Sequence, residues 1–237
     1  MKRFLSVGFI TAPGRNYLAQ TLRSYHLQWD VTPVVYAEPG TKRLPGVEWI
    51  ENSSHQGVVQ NWLWGLLTLP RSHYYLMCED DIEWKLNTRL PVSYLLRSFM
   101  LDKQLNVVQG ETIREENIGF ISPYCSQING YEAYKDRHHW MEARMPRWGW
   151  CGALCMLIPD HFRVYLRAHT GQFLIHSSKE VLDGSYRHLD YAIGQSALDA
   201  GLRIITHAPS LITHTGDVST NEENNTGPPN KARVAFE

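Results

Sequence analysis

The sequence predicts an α/β domain with a central, mostly parallel sheet and flanking helices. In the first half, strand-like apolar runs alternate with segments of helical periodicity, the order that gives parallel strands joined by crossover helices. The run Tyr74–Cys78 is apolar enough for a strand buried on both faces, so we place it at the centre of the sheet. No linker divides the 237 residues, and the second half reads as a mixed part of the same domain.

The first two elements have the plainest signals. Phe4–Thr11 is an apolar run that ends at a Pro-Gly turn, which predicts a strand. Asn16–Gln28 follows with Leu18, Leu22 and Tyr25 on one face, the spacing of a helix that packs on a core. A strand followed by an amphipathic helix is the first half of a parallel crossover unit.

The next elements repeat this alternation. Short apolar runs at Thr32–Ala37 and Val47–Ile50 predict two further strands. Gly57–Leu69 has helical periodicity and stops before Pro70, because proline cannot continue a helix. After the central strand, a helix is expected over Leu90–Leu101.

The second half has shorter strands and one long irregular region. The expected elements are strands over Val107–Gln109, Ile118–Ser122, Cys151–Ile158 and Arg203–His207, and helices over Asp160–His169 and Asp190–Ala200. Residues 131–150 are crowded with Tyr, His, Arg and Trp without a clean period, so we expect a long ordered loop, which in compact domains is often functional. Residues 221–237, rich in Asn, Gly and Pro, are expected to form a flexible tail.

Composition argues against several function classes. A net charge of −1 and a pI of about 6.8 give no global basic field that would recruit nucleic acid or a membrane surface. No stretch approaches the roughly 20 apolar residues that cross a bilayer, so no transmembrane segment is expected, and the N-terminal apolar run fits a strand better than a signal peptide. The four cysteines lie in apolar segments, as buried thiols in a reducing compartment do. We therefore expect a cytoplasmic protein, from a bacterial or phage-infected host cytosol.

The central strand ends abruptly in three consecutive carboxylates, Glu79, Asp80 and Asp81. Like charges this close destabilise one another unless a cation or hydrogen-bond donors compensate them. Open α/β sheets bind ligands at the carboxyl ends of their strands, and hard divalent cations prefer oxygen ligands that they share with phosphates. The cluster therefore predicts a metal site that holds a phosphate-bearing donor; the competing interpretation is a solvated acidic turn.

Further motifs follow in an ordered series. Its members are Thr11 and Arg15 after the first strand, Leu22 and Ser24 in the first helix, Gly57, Asn61 and Gly65 in the second, Glu79-Asp80-Asp81, GWCGALCMLIP at 149–159, His188-Leu189-Asp190, and PSLITHTGDVST at 209–220. This order, over about residues 3–220, resembles the GT-A-fold glycosyltransferases, and its N-terminal half resembles their family-2-like members. The resemblance implies one GT-A-like, Rossmann-like catalytic domain at 1–220, with a nucleotide-sugar-binding half at about 1–105 and an acceptor-binding half at about 106–220.

The resemblance also implies roles at the metal. Glu79-Asp80-Asp81 takes the place of the DXD motif of the family, with Asp81 as the main metal ligand and Glu79 assisting. His214 would complete the shell, and His207 is the competing histidine. Because an imidazole ligand suits manganese better than magnesium, the implied cofactor is Mn2+ (or Mg2+).

Other residues are assigned to the substrates. The implied donor-binding residues are Thr11, Arg15, Glu38, Asn61 and Asp80, and the implied acceptor-binding residues are Trp148, Trp150 and Gly152. Asp190 takes the place of the catalytic base, the carboxylate that accepts the proton of the acceptor hydroxyl; the alternative is that it only caps a helix. Two positions depart from the family pattern, because the first acid is Glu79 rather than Asp and Leu189 stands where a carboxylate is usual.

The sequence thus predicts an enzyme, a metal-dependent and inverting glycosyltransferase that moves a sugar from a nucleotide-sugar, with a UDP-sugar favoured, to an acceptor hydroxyl. A glycan, a lipid-linked sugar, a protein and a modified DNA base all remain open as acceptors. The basic, aromatic stretch at 137–148 is the support for a phage-type DNA glycosyltransferase acting on a hydroxymethylated base. The two departures leave room for a catalytically inactive nucleotide-sugar-binding module. A nucleotidyltransferase is less favoured, since no glycine-rich basic loop is present.

Overall fold

An eight-stranded mixed sheet organises the part of the chain that the computed structural model describes, namely residues 2–86, 91–107, 110–125, 139–143, 154–178 and 188–216. The strands are, in chain order, β1 (Arg3–Thr11), β2 (Val34–Ala37), β3 (Glu48–Glu51), β4 (Ser72–Glu79), β5 (Ile82–Trp84), β6 (Gln104–Asn106), β7 (Thr112–Arg114), β8 (Ile118–Ser122), β9 (His139–Glu142), β10 (Cys155–Pro159), β11 (Arg203–Ala208) and β12 (Ile212–His214). The helices are α1 (Leu18–His26), α2 (Gly57–Thr68), α3 (Val92–Asp102), α4 (Asp160–Ala168), α5 (Thr170–His176) and α6 (His188–Asp199).

The sheet has a parallel half and a mixed half. Its strand order is β3-β2-β1-β4-β10-β8-β11-β9. The pairs among β3, β2, β1 and β4 are all parallel, as is β8 with β11, whereas β10 runs antiparallel to β4 and β8, and β9 runs antiparallel to β11. Two short ladders, β5 with β12 and β6 with β7, accompany it among the described residues. The predicted α/β class with a central, mostly parallel sheet is confirmed.

The core lies on both faces of the sheet, because successive side chains of a strand point to opposite faces. Along β4, Tyr74, Leu76 and Cys78 join one hydrophobic cluster, and Tyr75 and Met77 join another. Helices α1 and α3 contribute to the first cluster, and α2, α4, α5 and α6 contribute to the second. Burial on both faces explains why β4 reads as a continuous apolar run rather than an alternating one.

The described residues also bear on membrane-spanning helices and on the state of the cysteines. Within the described ranges, no helix is long and apolar enough to cross a membrane. The cysteines that these ranges include, Cys78, Cys125 and Cys155, are buried thiols, and the sulfur atoms of Cys78 and Cys155 lie 3.2 Å apart across the antiparallel pair β4–β10.

Within residues 131–150, for which a long ordered loop is expected, the structure describes residues 139–143 and places a strand there. Strand β9 lies inside that stretch and pairs with β11, with Trp140 opposite His207. Its four residues carry no period of their own, and the neighbouring strand determines their conformation, as is common for short strands.

Other boundaries shift by a few residues. Strand β10 is Cys155–Pro159, and residues 151–153 of the strand expected there lie outside the described residues. Helix α6 already includes His188 and Leu189, before the expected start at Asp190. Of the strand expected at Val107–Gln109, residues 108–109 lie outside the described residues, and Val107 forms an isolated parallel bridge with Trp140. Strand β6, which pairs with β7, ends just before Val107. Helix α5 and strands β5 and β7 have no counterpart in the sequence-based expectation, because they are too short to produce a periodic signal. Strand β12 lies within residues 209–220, where the resemblance implies a late strand that carries His214.

Arg163 of α4 fastens the end of α2 to the rest of the domain. Its Nε donates to the carbonyl oxygen of Leu66 at 2.9 Å and its Nη2 to that of Leu67 at 2.7 Å. These carbonyls belong to the last turn of α2, where no helical N–H is left to pair with them. The guanidinium also lies 4.6 Å from the ring centre of Tyr75. The contacts position α2, which carries Asn61 to the candidate site.

Replacing this arginine tests the contact. We expect Arg163→Met to lower the free energy of unfolding by about 2–4 kcal/mol, because buried carbonyls lose charged hydrogen-bond donors. Denaturant unfolding followed by circular dichroism measures the loss. Arg167→Met on the same helix is the matched control, since Arg167 is exposed, and it should change stability by no more than about 0.5 kcal/mol. Equal losses in both variants would contradict the assignment.

Asp160, the first residue of α4, joins the N-terminus of the chain to β4. Its Oδ2 accepts from Lys2 Nζ at 2.7 Å and its Oδ1 from the Tyr75 hydroxyl at 2.9 Å. Burial alone would raise the pKa of Asp160, but these two hydrogen bonds outweigh it and lower the pKa below its ordinary value of 3.8.

A lowered folded-state pKa makes this contribution depend on pH. The unfolded chain binds the proton first as pH falls, so the stabilisation is present above about pH 4 and is lost below it. We expect Asp160→Asn to cost about 1 kcal/mol at pH 7 and progressively less at acid pH. Unfolding curves between pH 7 and pH 3 measure the difference, with Asp30→Asn, in an exposed pair with Arg97, as the control. A pH-independent difference would refute the linkage.

Candidate functional site

The three consecutive carboxylates lie where two neighbouring parallel strands end. Glu79 is the last residue of β4, and Ile10 of β1 is its register partner. Because β1 and β4 are parallel, the segments that follow them leave the sheet at the same edge, and this brings Thr11 and Arg15 next to Asp80 and Asp81. This is the carboxyl edge at which open α/β sheets bind ligands.

Asp81 is held from two directions. Its Oδ2 accepts a short hydrogen bond from Arg15 Nη2 and lies 3.0 Å from His214 Nε2. Strand β12 pairs antiparallel with β5, and His214 lies opposite Ile82, so this pairing places His214 beside Asp81. Its Oδ1 is buried and has no hydrogen-bond partner among the described residues. One buried carboxylate oxygen is therefore left for a further partner.

Both carboxylate oxygens and the backbone oxygen of Asp80 have partners in the protein. Thr11 Oγ1 donates to its Oδ2 at 2.5 Å, and Arg15 Nε lies 2.7 Å from its Oδ1. The hydroxyl of Thr21 on α1 lies 2.6 Å from the backbone oxygen of Asp80 and 2.7 Å from that of Ile82, which holds the turn between β4 and β5. No sequence pattern identifies Thr21, because a threonine on the buried face of a helix gives no signal of such a contact.

Burial and neighbouring charges set the protonation of the three acids differently. Burial of the Glu79 carboxyl and the nearby charge of Asp81 raise its pKa to about 8, against the opposing charge of Arg15. Burial also raises the pKa of Asp80 to about 6, although Arg15 and Thr11 oppose it. For Asp81 burial acts in the same direction, but the hydrogen bond with His214 and the charge of Arg15 outweigh it and lower the pKa. Asp81 is thus the acid most firmly ionised at neutral pH.

Asp190 belongs to the same neighbourhood. It lies in the first turn of α6, two residues after the helix begins, so it is inside the helix rather than at its cap position. Its charge is close enough to Glu79 to raise the pKa of that residue. A carboxylate in the first turn of a helix is also favoured by the helix dipole.

Glu38 follows β2 at the same edge of the sheet. Its Oε2 accepts from the backbone N–H of Gln56 at 2.8 Å and lies 3.0 Å from His55 Nδ1. Its Oε1 is buried without a hydrogen-bond partner among the described residues. Asn61 lies nearby, where its amide accepts from Asn52 at 3.0 Å and donates to the backbone oxygen of Tyr36 at 3.2 Å. Glu38 therefore offers an open oxygen, whereas Asn61 joins α2 to β2.

Of the remaining residues assigned from the sequence, His207 lies in the core and the proposed acceptor residues lie in the ranges that the structure does not describe. His207 is buried, its Nδ1 lies 2.8 Å from the backbone oxygen of Pro209, and its ring packs edge-on against Trp140. Of the two candidate histidines, His214 is thus the one that contacts Asp81. Trp148, Trp150 and Gly152 lie outside the described residues.

The arrangement fits a divalent cation in part. Asp81 and His214 present an orphaned carboxylate oxygen and an imidazole side by side, donors that manganese accepts. No set of three His, Cys, Asp or Glu side chains within the described ranges is arranged around one point as a metal cage. Two protein donors suffice for an ion that completes its shell with water and substrate phosphates. Arg15 is the positive charge that contacts these acids in this state.

Comparison with known proteins shows the fold class. No protein-family model and no curated protein sequence matches the chain. The chain is similar to the crystal structure of GalNAc-T7 with UDP, GalNAc and Mn2+, with a TM-score of 0.52 and 12% identity over 96% of this chain and 45% of that one. It is also similar to the mannosyltransferase PcManGT from Pyrobaculum calidifontis in complex with GDP-Man and Mn2+, with a TM-score of 0.53 and 10% identity over 95% of this chain and 60% of that one.

These similarities establish a fold. Both proteins are GT-A glycosyltransferases, and the chain has the GT-A glycosyltransferase fold, as its motif order predicts. The chain spans less than two thirds of the length of either protein. At such low sequence identities, activity and substrates have to be argued from the site.

Gly216 allows the close approach of the two site segments. A Cβ atom built on it would lie 2.1 Å from Asp81 Oδ2 and 2.9 Å from Asp81 Cγ. We expect Gly216→Ala to displace the carboxylate and break its contact with His214, visible as a change in the His214 ring resonances by NMR. Gly171→Ala on α5 is the control, because nothing lies within 4 Å of its added Cβ. Unchanged His214 resonances in Gly216→Ala would contradict this geometry.

Proposed function

We propose that the chain is a metal-dependent, inverting glycosyltransferase that moves a sugar from a nucleotide-sugar to an acceptor hydroxyl. The observation that carries the proposal is the cluster of Asp80, Asp81, Arg15 and His214 at the carboxyl ends of β1 and β4 in a GT-A fold. It combines carboxylates, an imidazole and a guanidinium, the groups that hold a divalent cation and a diphosphate.

Glu38 supports a uridine donor. With Oε2 already engaged by Gln56 and His55, only Oε1 is open to a ligand. A single acceptor oxygen suits uracil, whose ring has one N–H, better than guanine, which presents two adjacent N–H donors. We therefore favour a UDP-sugar, with Glu38 accepting from the base, Thr11 and Asn61 shaping the pocket and Asp80 at its floor.

In this proposal, each of the site residues has a separate role in the transfer. Asp81 and His214 would hold Mn2+ (or Mg2+), with Glu79 assisting, and the cation would supply Lewis-acid stabilisation to the departing diphosphate. Arg15 lies within reach of the same phosphates. Asp190 would accept the proton of the attacking hydroxyl, and its place in the first turn of α6 favours the ionised carboxylate that this role needs.

The acceptor side is assigned by resemblance. Trp148, Trp150 and Gly152 are the residues that we assign to the acceptor, since sugar faces stack on indole rings and glycine allows a close backbone approach. A glycan, a lipid-linked sugar, a protein or a hydroxymethylated DNA base would fit this chemistry, the last with a phage-type enzyme. A cytoplasmic location remains our expectation for the protein.

A second candidate is a nucleotide-sugar-binding module without turnover. It is favoured by one observation, that no three-ligand metal cage exists within the described ranges. Such a module would bind the donor without releasing a nucleoside diphosphate in the presence of any acceptor, whereas the enzyme would release it.

Ligand-induced stabilisation tests the donor site. We expect UDP or a UDP-sugar together with Mn2+ to raise the melting temperature, because a ligand at about 100 times its Kd adds roughly 2.7 kcal/mol to native-state stability. Asp81→Asn should abolish the metal-dependent part of the shift. Asp102→Asn, at the exposed end of α3, is the control and should keep it.

The panel includes GDP, ADP and CDP with and without Mn2+, so that the response also identifies the base. A response to GDP but not UDP would overturn the assignment of Glu38. The absence of any nucleotide response in well-folded wild-type protein would contradict the proposed function itself.

A further inference from the structure

Arg15 occupies one of the two carboxylate oxygens of Asp81 that a cation at the acidic cluster could use. Its guanidinium contacts Oδ2 of Asp81 through Nη2 and approaches Oδ1 of Asp80 to 2.7 Å through Nε. The Arg15 side chain is 14% exposed and that of Asp81 is 5% exposed, so the guanidinium and the carboxylate meet where little water reaches them. One positive charge thus bridges two buried negative ones.

A divalent cation and this guanidinium compete for the same atom. An ion bound to a carboxylate lies about 2.0–2.6 Å from its oxygen, which at Asp81 Oδ2 is the space that Arg15 Nη2 occupies. Two cations this close repel each other strongly in a site that water barely reaches. As long as Arg15 remains in place, the only buried oxygen of Asp81 left to a metal is Oδ1.

A diphosphate would remove the obstacle. Guanidinium groups bind phosphate oxygens with two parallel hydrogen bonds, so a phosphate beside the cluster competes for Arg15 with the carboxylates. Arg15 belongs to the segment between β1 and α1 and follows Gly14, whose φ is +79°. Its side chain reaches the carboxylates from that segment and can turn toward a ligand without any movement of the sheet.

We propose that Arg15 is the resident counter-cation of Asp80 and Asp81, and that it passes to the donor diphosphate when a divalent cation takes its place. This inference rests on the proposed function and adds a rule to it: the metal binds well only together with the diphosphate. Because coupling between two ligands is reciprocal, the metal strengthens diphosphate binding by the same factor.

The test compares the affinity of Mn2+ alone with its affinity in the presence of UDP, for wild type, Arg15→Gln and Arg15→Lys. Binding is followed by calorimetry and by the EPR signal of free Mn2+, with allowance for the Mn2+–UDP complex in solution. In the wild type we expect Mn2+ alone to bind at least about tenfold more weakly than with UDP, within the usual range of coupling between sites.

The variants should move the two affinities in opposite directions. Arg15→Gln removes the competing charge, so Mn2+ alone should bind about tenfold more tightly, while UDP alone binds more weakly. Arg15→Lys keeps a positive charge and should keep the weak binding of Mn2+ alone. Arg23→Gln, which removes an exposed charge from α1, is the matched control for net charge and should behave as wild type.

Two outcomes would overturn the inference while leaving the proposed function standing. In the first, Mn2+ alone binds wild type as tightly as it binds in the presence of UDP. In the second, Arg15→Gln still binds UDP but binds Mn2+ alone no more tightly than wild type does. If Arg15→Gln does not fold, the wild-type comparison and Arg15→Lys still decide. Failure of every folded variant and of the wild type to bind either ligand would instead remove the proposed function and this inference together.

Discussion

The parallel pairing of β1 with β4 is the constraint on which the rest of the site depends. It aligns Ile10 with Glu79, so the chain leaves both strands at one level and the acidic triplet of one connection faces the Thr11–Arg15 segment of the other. A strand buried on both faces cannot slip in register without exposing apolar side chains, so the position of the carboxylates is determined by packing in the core. The site is therefore rigid where the charges lie, and its adaptable parts are the long side chains that approach from the loops.

Three neighbouring carboxyl groups at a buried strand end are costly, and the structure compensates them unevenly. Asp80 is fully engaged, by Thr11, Arg15 and the turn that Thr21 holds. Asp81 and Glu38 each keep one buried oxygen without a partner among the described residues. Buried polar atoms are nearly always paired in folded proteins, so an orphaned oxygen at a ligand-binding edge marks a place that a ligand completes. The two orphans lie after β4 and after β2, on either side of β1, and in the proposed function they would face the metal-bound diphosphate and the base of the donor, respectively.

The sequence predicted the features that rest on local patterns. The alternation of strands and helices, the central strand and the acidic cluster at its end all carry a period or a composition that a single segment displays. The contact of Arg15 with both aspartates, the close approach of Gly216 and the part played by Thr21 depend on which segments meet in space, and no local pattern encodes them. Strands β5 and β12 illustrate the limit: three residues each are too few for a period, yet their pairing brings His214 to Asp81.

The roles that we propose for the three acids differ because their neighbours differ. Asp81 is ionised and keeps an open oxygen, which suits it to the metal, whereas Asp80 is committed to Thr11 and Arg15 and shapes the site. Glu79, with a pKa of about 8, holds a proton at neutral pH while Arg15 is the nearest positive charge. In the proposed function, a divalent cation, which brings more positive charge than a guanidinium, would lower the pKa of Glu79 and favour the ionised form that could assist at the metal. Until then, a protonated Glu79 would place one negative charge fewer beside the proposed base Asp190.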